Sequence, residues 1–181
     1  MQRTLGGLLL AASLLGTTPE CVGQCRLPGI PVDSITCKVT YRGSVHATGT
    51  PQSALYYRAR VWAVTHFSTG KEAVQFDESA HSTLIIQGYT RYTNGFTGPE
   101  IWRTITLTVK ENCCDYKITS FLYVIPHNAL AKQGSVEQLL KTELTYSQSP
   151  KLTKGYQQLQ KAIQETTKAE IIDLQQGLLA L

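Results

Sequence analysis

Residues 101–110, IWRTITLTVK, contain a run from Thr104 to Lys110 that alternates between polar and apolar side chains with a period of two. The apolar set is Ile105, Leu107 and Val109, and the polar set is Thr104, Thr106, Thr108 and Lys110. Successive side chains of a β-strand point to opposite faces of its sheet, so this segment buries one face only. The chain must therefore form a sheet with one apolar face and one polar face.

Neighbouring segments predict four more strands, which complete a five-stranded antiparallel sheet. They cover residues 37–47, 73–77, 82–92 and 116–125. In these segments β-branched and aromatic residues lie between turn-forming residues. Val74 and Phe76 are predicted to point inward. Asn112 is predicted to adopt the left-handed conformation in the hairpin link ENCCD, residues 111–115.

Helical spacing occurs in two other regions. Residues 51–67 repeat apolar side chains every three or four positions, with Thr50 as the expected N-cap. Residues 128–181 form a second zone, in which Ser135 begins a capping-box pattern before a short helix. A longer helix follows from about residue 152, and at roughly 1.5 Å per residue its end would extend beyond a small domain. We expect its end to contact a partner, a second copy or nothing stable.

Residues 1–23 have the features of a secretory signal peptide. Arg3 precedes an apolar run from Leu5 to Leu15, and small residues suited to cleavage follow. The run is about half the roughly 20 residues that cross a bilayer, so we expect no stable membrane span. The expected location is exported, periplasmic or extracellular, in a Gram-negative envelope. Lipidation at Cys21 or Cys25 is the alternative, although neither follows the usual small residue.

The net charge of +4 argues against a nucleic-acid partner. Removal of residues 1–23 takes away one base and one acid, so the charge stays at +4. Nucleic-acid-binding domains normally concentrate basic residues in a stripe. Here the lysines between residues 151 and 168 alternate with glutamate and glutamine, which indicates a solvated helix face.

Four cysteines follow the predicted cleavage site, namely Cys25, Cys37, Cys113 and Cys114. An even number in an oxidising compartment predicts disulfides. Neighbouring strand residues point to opposite faces, so bridges from Cys25 and Cys37 to the hairpin are the leading expectation. A strained bond between Cys113 and Cys114 is the alternative. Redox catalysis and zinc fit less well, because adjacent carboxylates raise a thiol pKa and Cys-x-x-Cys spacing is missing.

No histidine of the chain lies in a recognisable catalytic or metal-binding motif. We therefore expect no catalytic residue, no metal and no cofactor. The alternative is an envelope hydrolase or redox accessory whose site is assembled across the fold. A deep pocket with convergent polar groups near His46 or His81 would favour that alternative.

Several stretches resemble a known family. They are ALYYRARVWAVTHF at 54–67, VQFDESAHSTLIIQGY at 74–89, ITLTVK at 105–110 and YKITSF at 116–121. Together they resemble the exported bacterial proteins of domain of unknown function 4468, described as having a TATA-box-binding-protein-like (TBP-like) fold. The resemblance implies an α+β fold of order β-α-β-β-β-β-α, with helices on one face of the sheet and a C-terminal helical extension. It implies nothing about activity.

The expected organisation is a signal peptide at 1–23, an N-terminal segment at 24–36, the TBP-like domain at 37–127 and the helical extension at 128–181. The polar face of the sheet is the candidate binding surface. Its residues are Arg42, Trp102, Thr104, Thr106, Phe121 and Tyr123. Aromatic groups among hydroxyls and cations suit recognition. Alternatively, the threonines are ordinary exposed-strand residues and the aromatics pack under the C-terminal helix.

These features predict a non-catalytic, exported interaction or ligand-binding module. The open sheet face or the C-terminal helix would contact an envelope protein or a small ligand. A homo-oligomer formed through the C-terminal helix is a further expectation. A likeness to a DNA-binding fold does not by itself indicate DNA binding, because function depends on the site rather than the fold.

Overall fold

The computed structural model describes residues 25–67, 73–78, 81–92, 99–125, 134–146 and 153–180. The expected signal peptide lies outside the described residues. The strands are β1 Tyr41–His46, β2 Val74–Glu78, β3 Thr83–Arg91, β4 Glu100–Lys110, β5 Cys113–Val124 and β6 Gly134–Ser135. The helices are α1 Gln52–His66, α2 Val136–Tyr146 and α3 Lys154–Leu179.

The five main strands form an antiparallel sheet in the order β1-β5-β4-β3-β2, and the short β6 pairs with β5. The predicted α+β class is confirmed. In β4 the side chains of Ile105, Leu107 and Val109 are buried, and the threonines between them are half-buried. The alternation that predicted a two-sided sheet is therefore present in the structure.

Helix α1 packs against β3, β4 and β5 on the oily side of the sheet, and α3 packs against α1. Leu55, Ala59, Trp62 and Ala63 are the buried residues of α1, as its helical spacing predicted. The predicted N-cap was wrong. Pro51 occupies the cap position without a side-chain hydrogen bond, and the Gln52 backbone N–H instead donates to the Glu111 carboxylate at 3.0 Å.

Two strands begin three or more residues away from their predicted starts. Strand β1 begins at Tyr41 rather than Cys37. Cys37 has a φ of +54°, and Val39 forms a bridge with Val32 of the N-terminal segment. Strand β5 begins at Cys113, so both hairpin cysteines lie in the strand and the turn consists of Glu111 and Asn112 alone. Asn112 has a φ of +59°, which confirms its predicted left-handed conformation.

The predicted inward position of Phe76 was also wrong. The register between β2 and β3 shifts between Val74 and Phe76. Because a shift of one residue exchanges the two faces of a strand, Phe76 is left 45% exposed.

Helix α3 does not extend beyond the domain, contrary to the expectation from its length. Leu174 and Leu178 near its end are fully buried, and the helix packs along α1. Gly177 allows this approach, since a Cβ atom there would lie 2.8 Å from Cδ1 of Trp62. No helix within the described ranges combines the length and apolar character of a membrane span.

The first half of α3 is anchored by the N-terminal segment and α2. The Tyr156 hydroxyl donates to the Pro28 carbonyl at 3.0 Å, and the hydroxyl of Thr153, the N-cap of α3, donates to Glu143 of α2 at 2.8 Å. The Gln138 N–H donates to the Ser135 hydroxyl at 3.2 Å, as the capping pattern predicted. Buried side chains from the N-terminal segment, the sheet and all three helices belong to one hydrophobic core.

Candidate ligand-binding face

A β-bulge in β5 decides which aromatic residues reach the polar face. Ser120 has a φ of +56°, and the register with β4 shifts between Trp102 and Thr104. The extra residue exchanges the faces beyond the bulge. Phe121 is consequently 1% exposed within the core, and Tyr123 lies opposite the buried Ile101. Their predicted place on the polar face was wrong, because simple alternation does not anticipate a bulge.

Arg42, Trp102, Thr104 and Thr106 do lie on the polar face, where cross-strand pairing arranges them in rows. The three rows are Leu122–Trp102–Tyr89, then Thr119–Thr104–Gln87, then Arg42–Lys117–Thr106–Ile85. Neighbouring strands are about 4.8 Å apart, and successive rows are about 7 Å apart. We call the first the aromatic row and the second the hydroxyl row.

A network of side chains holds the aromatic row in place. The rings of Tyr89 and Trp102 have centroids 4.7 Å apart and are tilted by 34°. The Trp102 indole N–H donates to Oε2 of Glu100 at 3.2 Å, and the Arg91 guanidinium donates to Oε1 of Glu100 at 2.9 Å. The Arg91 guanidinium carbon also lies 5.9 Å from the Tyr89 ring centroid. These contacts restrict the orientation of the indole.

Three basic side chains of this face each have a carboxylate partner. Arg91 pairs with Glu100, and Lys110 pairs with Asp115 at 2.6 Å. Arg42 pairs with an aspartate of the N-terminal segment, Asp33. These pairs neutralise much of the positive charge that the sequence places here.

The cysteines pair differently from the leading expectation. Cys25 and Cys37 form a disulfide with each other, and their Cα atoms are 5.0 Å apart. Cys113 and Cys114 are free thiols. Cys114 lies opposite Val45, near the far end of β1, so about 13 Å of strand separates it from the Tyr41 end, beyond which Cys37 lies. A disulfide requires Cα atoms within about 7 Å, which excludes the expected bridge.

The two free thiols are poorly suited to nucleophilic chemistry. Burial, followed by the charge of Asp115, raises the pKa of Cys113. Burial raises the pKa of Cys114 to about 12. A reactive cysteine needs a lowered pKa, because the thiolate is the nucleophile.

The opposite, helix-covered side of the sheet contains a buried ion pair that was not predicted. The side chains of Arg103 in β4 and Glu170 in α3 are 0% and 1% exposed. Nε of Arg103 donates to Glu170 Oε2 at 2.7 Å, and the other guanidinium nitrogens donate to the Ile101 carbonyl and the Thr90 hydroxyl. Burial alone would raise the pKa of Glu170, but His66 and Arg103 outweigh it and hold that pKa below its ordinary value.

His66 continues this network toward the surface. Its Nδ1 lies 2.5 Å from Asp173 Oδ2, and its Nε2 lies 3.3 Å from Glu170 Oε1. The Trp62 indole N–H donates to the same Asp173 oxygen at 2.8 Å, and the Trp62 ring stacks on the imidazole. Burial would lower the pKa of His66, but hydrogen bonds and the charges of both carboxylates outweigh it, so the pKa is raised.

An open groove of about 600 Å³ lies beside His66, between α1 and the end of α3. Its lining residues are Tyr57, Arg58, Val61, Trp62, Thr65, His66, Asp173, Gly177 and Ala180. It does not involve His46 or His81, where a pocket would have favoured an enzyme. Among the residues that the structure describes, no group of three or more histidine, cysteine, aspartate or glutamate side chains could hold a metal ion.

The sequence pattern indicates which face several of these residues lie on. Arg103 has the same parity as Ile105 in β4, which places it on the buried face. Glu170 lies in the middle of the apolar stripe of α3. Tyr89 alternates with the buried Ile86 and Gly88, which places it on the polar face. Only the pairing of β3 with β4 shows that Tyr89 contacts Trp102.

Comparison with known proteins confirms the fold and the predicted resemblance. Residues 41–124 match the model of a family described as "Domain of unknown function (DUF4468) with TBP-like fold". A DUF4468 family protein from Bacteroides ovatus has a similar crystal structure, with a TM-score of 0.65 and 16% identity over 86% of this chain and 93% of that one. A TBP-like protein from Parabacteroides distasonis has a TM-score of 0.60 and 14% identity over 82% of this chain and 97% of that one. No curated protein matches the sequence.

Proposed function

Residues 41–124 carry a domain of unknown function with a TBP-like fold, and from this premise we propose that the protein is a non-catalytic, exported binding module. The binding surface is the polar face of the sheet, centred on the aromatic row. The proposed location is the envelope or the exterior of the cell that makes it, consistent with the signal-peptide features of residues 1–23.

The aromatic row is the observation that carries this proposal. Helix α1 and the core occupy the other side of the sheet, so the rings of Tyr89 and Trp102 are not needed to fill the interior. Leu122 beside them is 42% exposed. Large aromatic groups that combine an apolar body with a polar tip are enriched where proteins recognise partners.

The chemistry of the helix side supports a non-catalytic function. Both ring nitrogens of His66 face carboxylates, so the ring has no nitrogen left to take a proton from a substrate. Asp173 is held by His66 and Trp62. A general base must lie within hydrogen-bond reach of the proton that it removes, and this arrangement instead links α1 to α3.

The proposal is tested with immobilised mature protein exposed to an envelope extract of the producing cell. We expect the wild type to retain specific material and Trp102→Ala to lose it. Tyr57→Ala is the matched control, since Tyr57 is an aromatic residue 69% exposed on α1, which lies on the other side of the sheet. Equal retention by Trp102→Ala and the wild type would refute a function based on this face.

A homo-oligomer through α3 would have a smaller surface than the sequence suggested. Most of the apolar stripe of α3 is buried within the domain. The large apolar residues of α3 that remain exposed are Ile172 and Leu179. Sedimentation of the wild type and of Ile172→Lys at several concentrations tests this second mode of association. Concentration-independent monomers would leave the sheet face as the binding surface.

A further inference from the structure

We propose that the ligand of the polar face is a neutral carbohydrate chain whose sugar rings lie along the aromatic row while its hydroxyls bond to the hydroxyl row. This inference rests on the proposed function and names the ligand class for the same surface. Its evidence is the juxtaposition of a held aromatic pair, a row of uncharged hydrogen-bonding side chains, and ion pairs that engage Arg42, Arg91 and Lys110.

The aromatic row suits the apolar face of a sugar ring. A pyranose carries several C–H groups on one side, and these pack against aromatic rings. The strand positions of Leu122 and Tyr89 are about 10 Å apart, which is long enough for more than one sugar ring. The hydrogen bond from Trp102 to Glu100 and the contact of Arg91 with Tyr89 limit ring motion, so binding loses less side-chain entropy.

The hydroxyl row suits the edge of the same sugar ring. Thr119, Thr104 and Gln87 lie one row away from the aromatic residues, at a spacing of about 7 Å along the strands. The Thr104 hydroxyl can both donate and accept, and the Gln87 amide presents a carbonyl and an NH₂ group. The Thr119 hydroxyl already donates to the Val39 carbonyl at 3.2 Å, so it is left to accept from a sugar hydroxyl. Sugar hydroxyls both donate and accept, so they can bond to each of these groups.

The charges on the face favour a neutral ligand over an anionic one. Arg91, Lys110 and Arg42 are each engaged by a carboxylate, so a phosphate chain would have to compete for them. A nucleic acid depends on counterion release by several free cations, whereas here Lys117 is the basic residue of the face left without an ion pair to a described residue. An extended peptide gains its affinity at sheet edges, whereas the backbone groups of β3 and β4 are already paired with neighbouring strands.

The test uses the full mature chain on an array of neutral oligosaccharides, with sulfated dextran and unstructured peptides as competing classes. We expect binding of one or more neutral glycans, weakened roughly thirtyfold or more by Trp102→Ala and unchanged by Tyr57→Ala. Thr104→Val keeps the side-chain shape but removes the hydroxyl. It should weaken binding roughly threefold to tenfold if sugars bind there, and should strengthen binding of an apolar peptide.

Gln87→Leu provides a second variant in case Trp102→Ala does not fold, because Gln87 is exposed and its replacement does not disturb the core. Binding of sulfated dextran alone, of peptides alone, or of no neutral glycan would overturn the inference. The proposed function would survive if retained envelope material depended on Trp102 but was not displaced by the glycans of the array. Both would fail if neither assay depended on Trp102.

Discussion

Loss of the charge on Glu170 should destabilise this protein more than the removal of any exposed charge. In Glu170→Gln the carboxylate becomes a neutral amide, while Arg103 keeps its positive charge in a site that is 0% exposed. Breaking a buried ion pair by removing one partner costs about 3–5 kcal/mol, because the remaining charge has neither water nor a counter-ion. For a domain of this size that loss lowers Tm by roughly 10 °C.

Urea unfolding followed by circular dichroism measures this free energy. Glu165→Gln is the matched control on the same helix, because Glu165 is 53% exposed. Among the described residues it makes a distant contact with Lys161 and accepts a hydrogen bond from Tyr92. We expect the control to change stability by less than about 0.5 kcal/mol. The double variant Arg103→Met with Glu170→Leu should recover most of the lost stability, since no charge then remains buried.

A loss below about 1 kcal/mol in Glu170→Gln would refute the reasoning, because it would mean that Arg103 reaches water or another anion. If the double variant is no more stable than Glu170→Gln, the stability depends on the packing of these two side chains rather than on their charges.

Three further predictions concern other parts of the fold. Folding raises the pKa of His66 above 6.5, so its contribution to stability is fully present below pH 6.5 and is lost as the pH rises through the raised value. His66→Gln should abolish this part of the pH dependence. Urea unfolding from about pH 6 to about pH 9 measures it. A thiol reagent with mass spectrometry should label Cys113 in the native protein and Cys114 only after unfolding, and equal native labelling would contradict the burial of Cys114. Gly88→Ala should destabilise the fold by about 1–3 kcal/mol, since the new Cβ would lie 2.2 Å from the ring of Phe67; an unchanged denaturation midpoint would contradict this packing.

Local patterns predicted much of this fold. A period of two in residues 101–110 and helical spacing in residues 51–67 follow from backbone geometry, so each segment shows which of its faces is buried. Asn112 and Ser135 were recognised for the same reason, because a left-handed turn and a helix cap each depend on a few neighbouring residues. The composition of the polar face was predicted in part, through Arg42, Trp102, Thr104 and Thr106.

Non-local pairing explains most of the errors. A single positive φ at Ser120 moved Phe121 from the polar face to the core, although the residues around it alternate normally. The separation of Cys37 from the hairpin cysteines depends on where β1 begins and on how it pairs with β5. Neither property is encoded in the periodicity of one segment.

By itself, the sequence determined that a sheet with one apolar and one polar face would pack beneath helices. Side-chain alternation and helical spacing are properties of the local backbone, so one segment is enough to reveal them. Tertiary structure decided which residues meet. It placed Tyr89 against Trp102 and joined Arg103 to Glu170 across 67 positions of the chain. Such contacts require strand register and helix docking, whose energies come from the whole core rather than from any one segment.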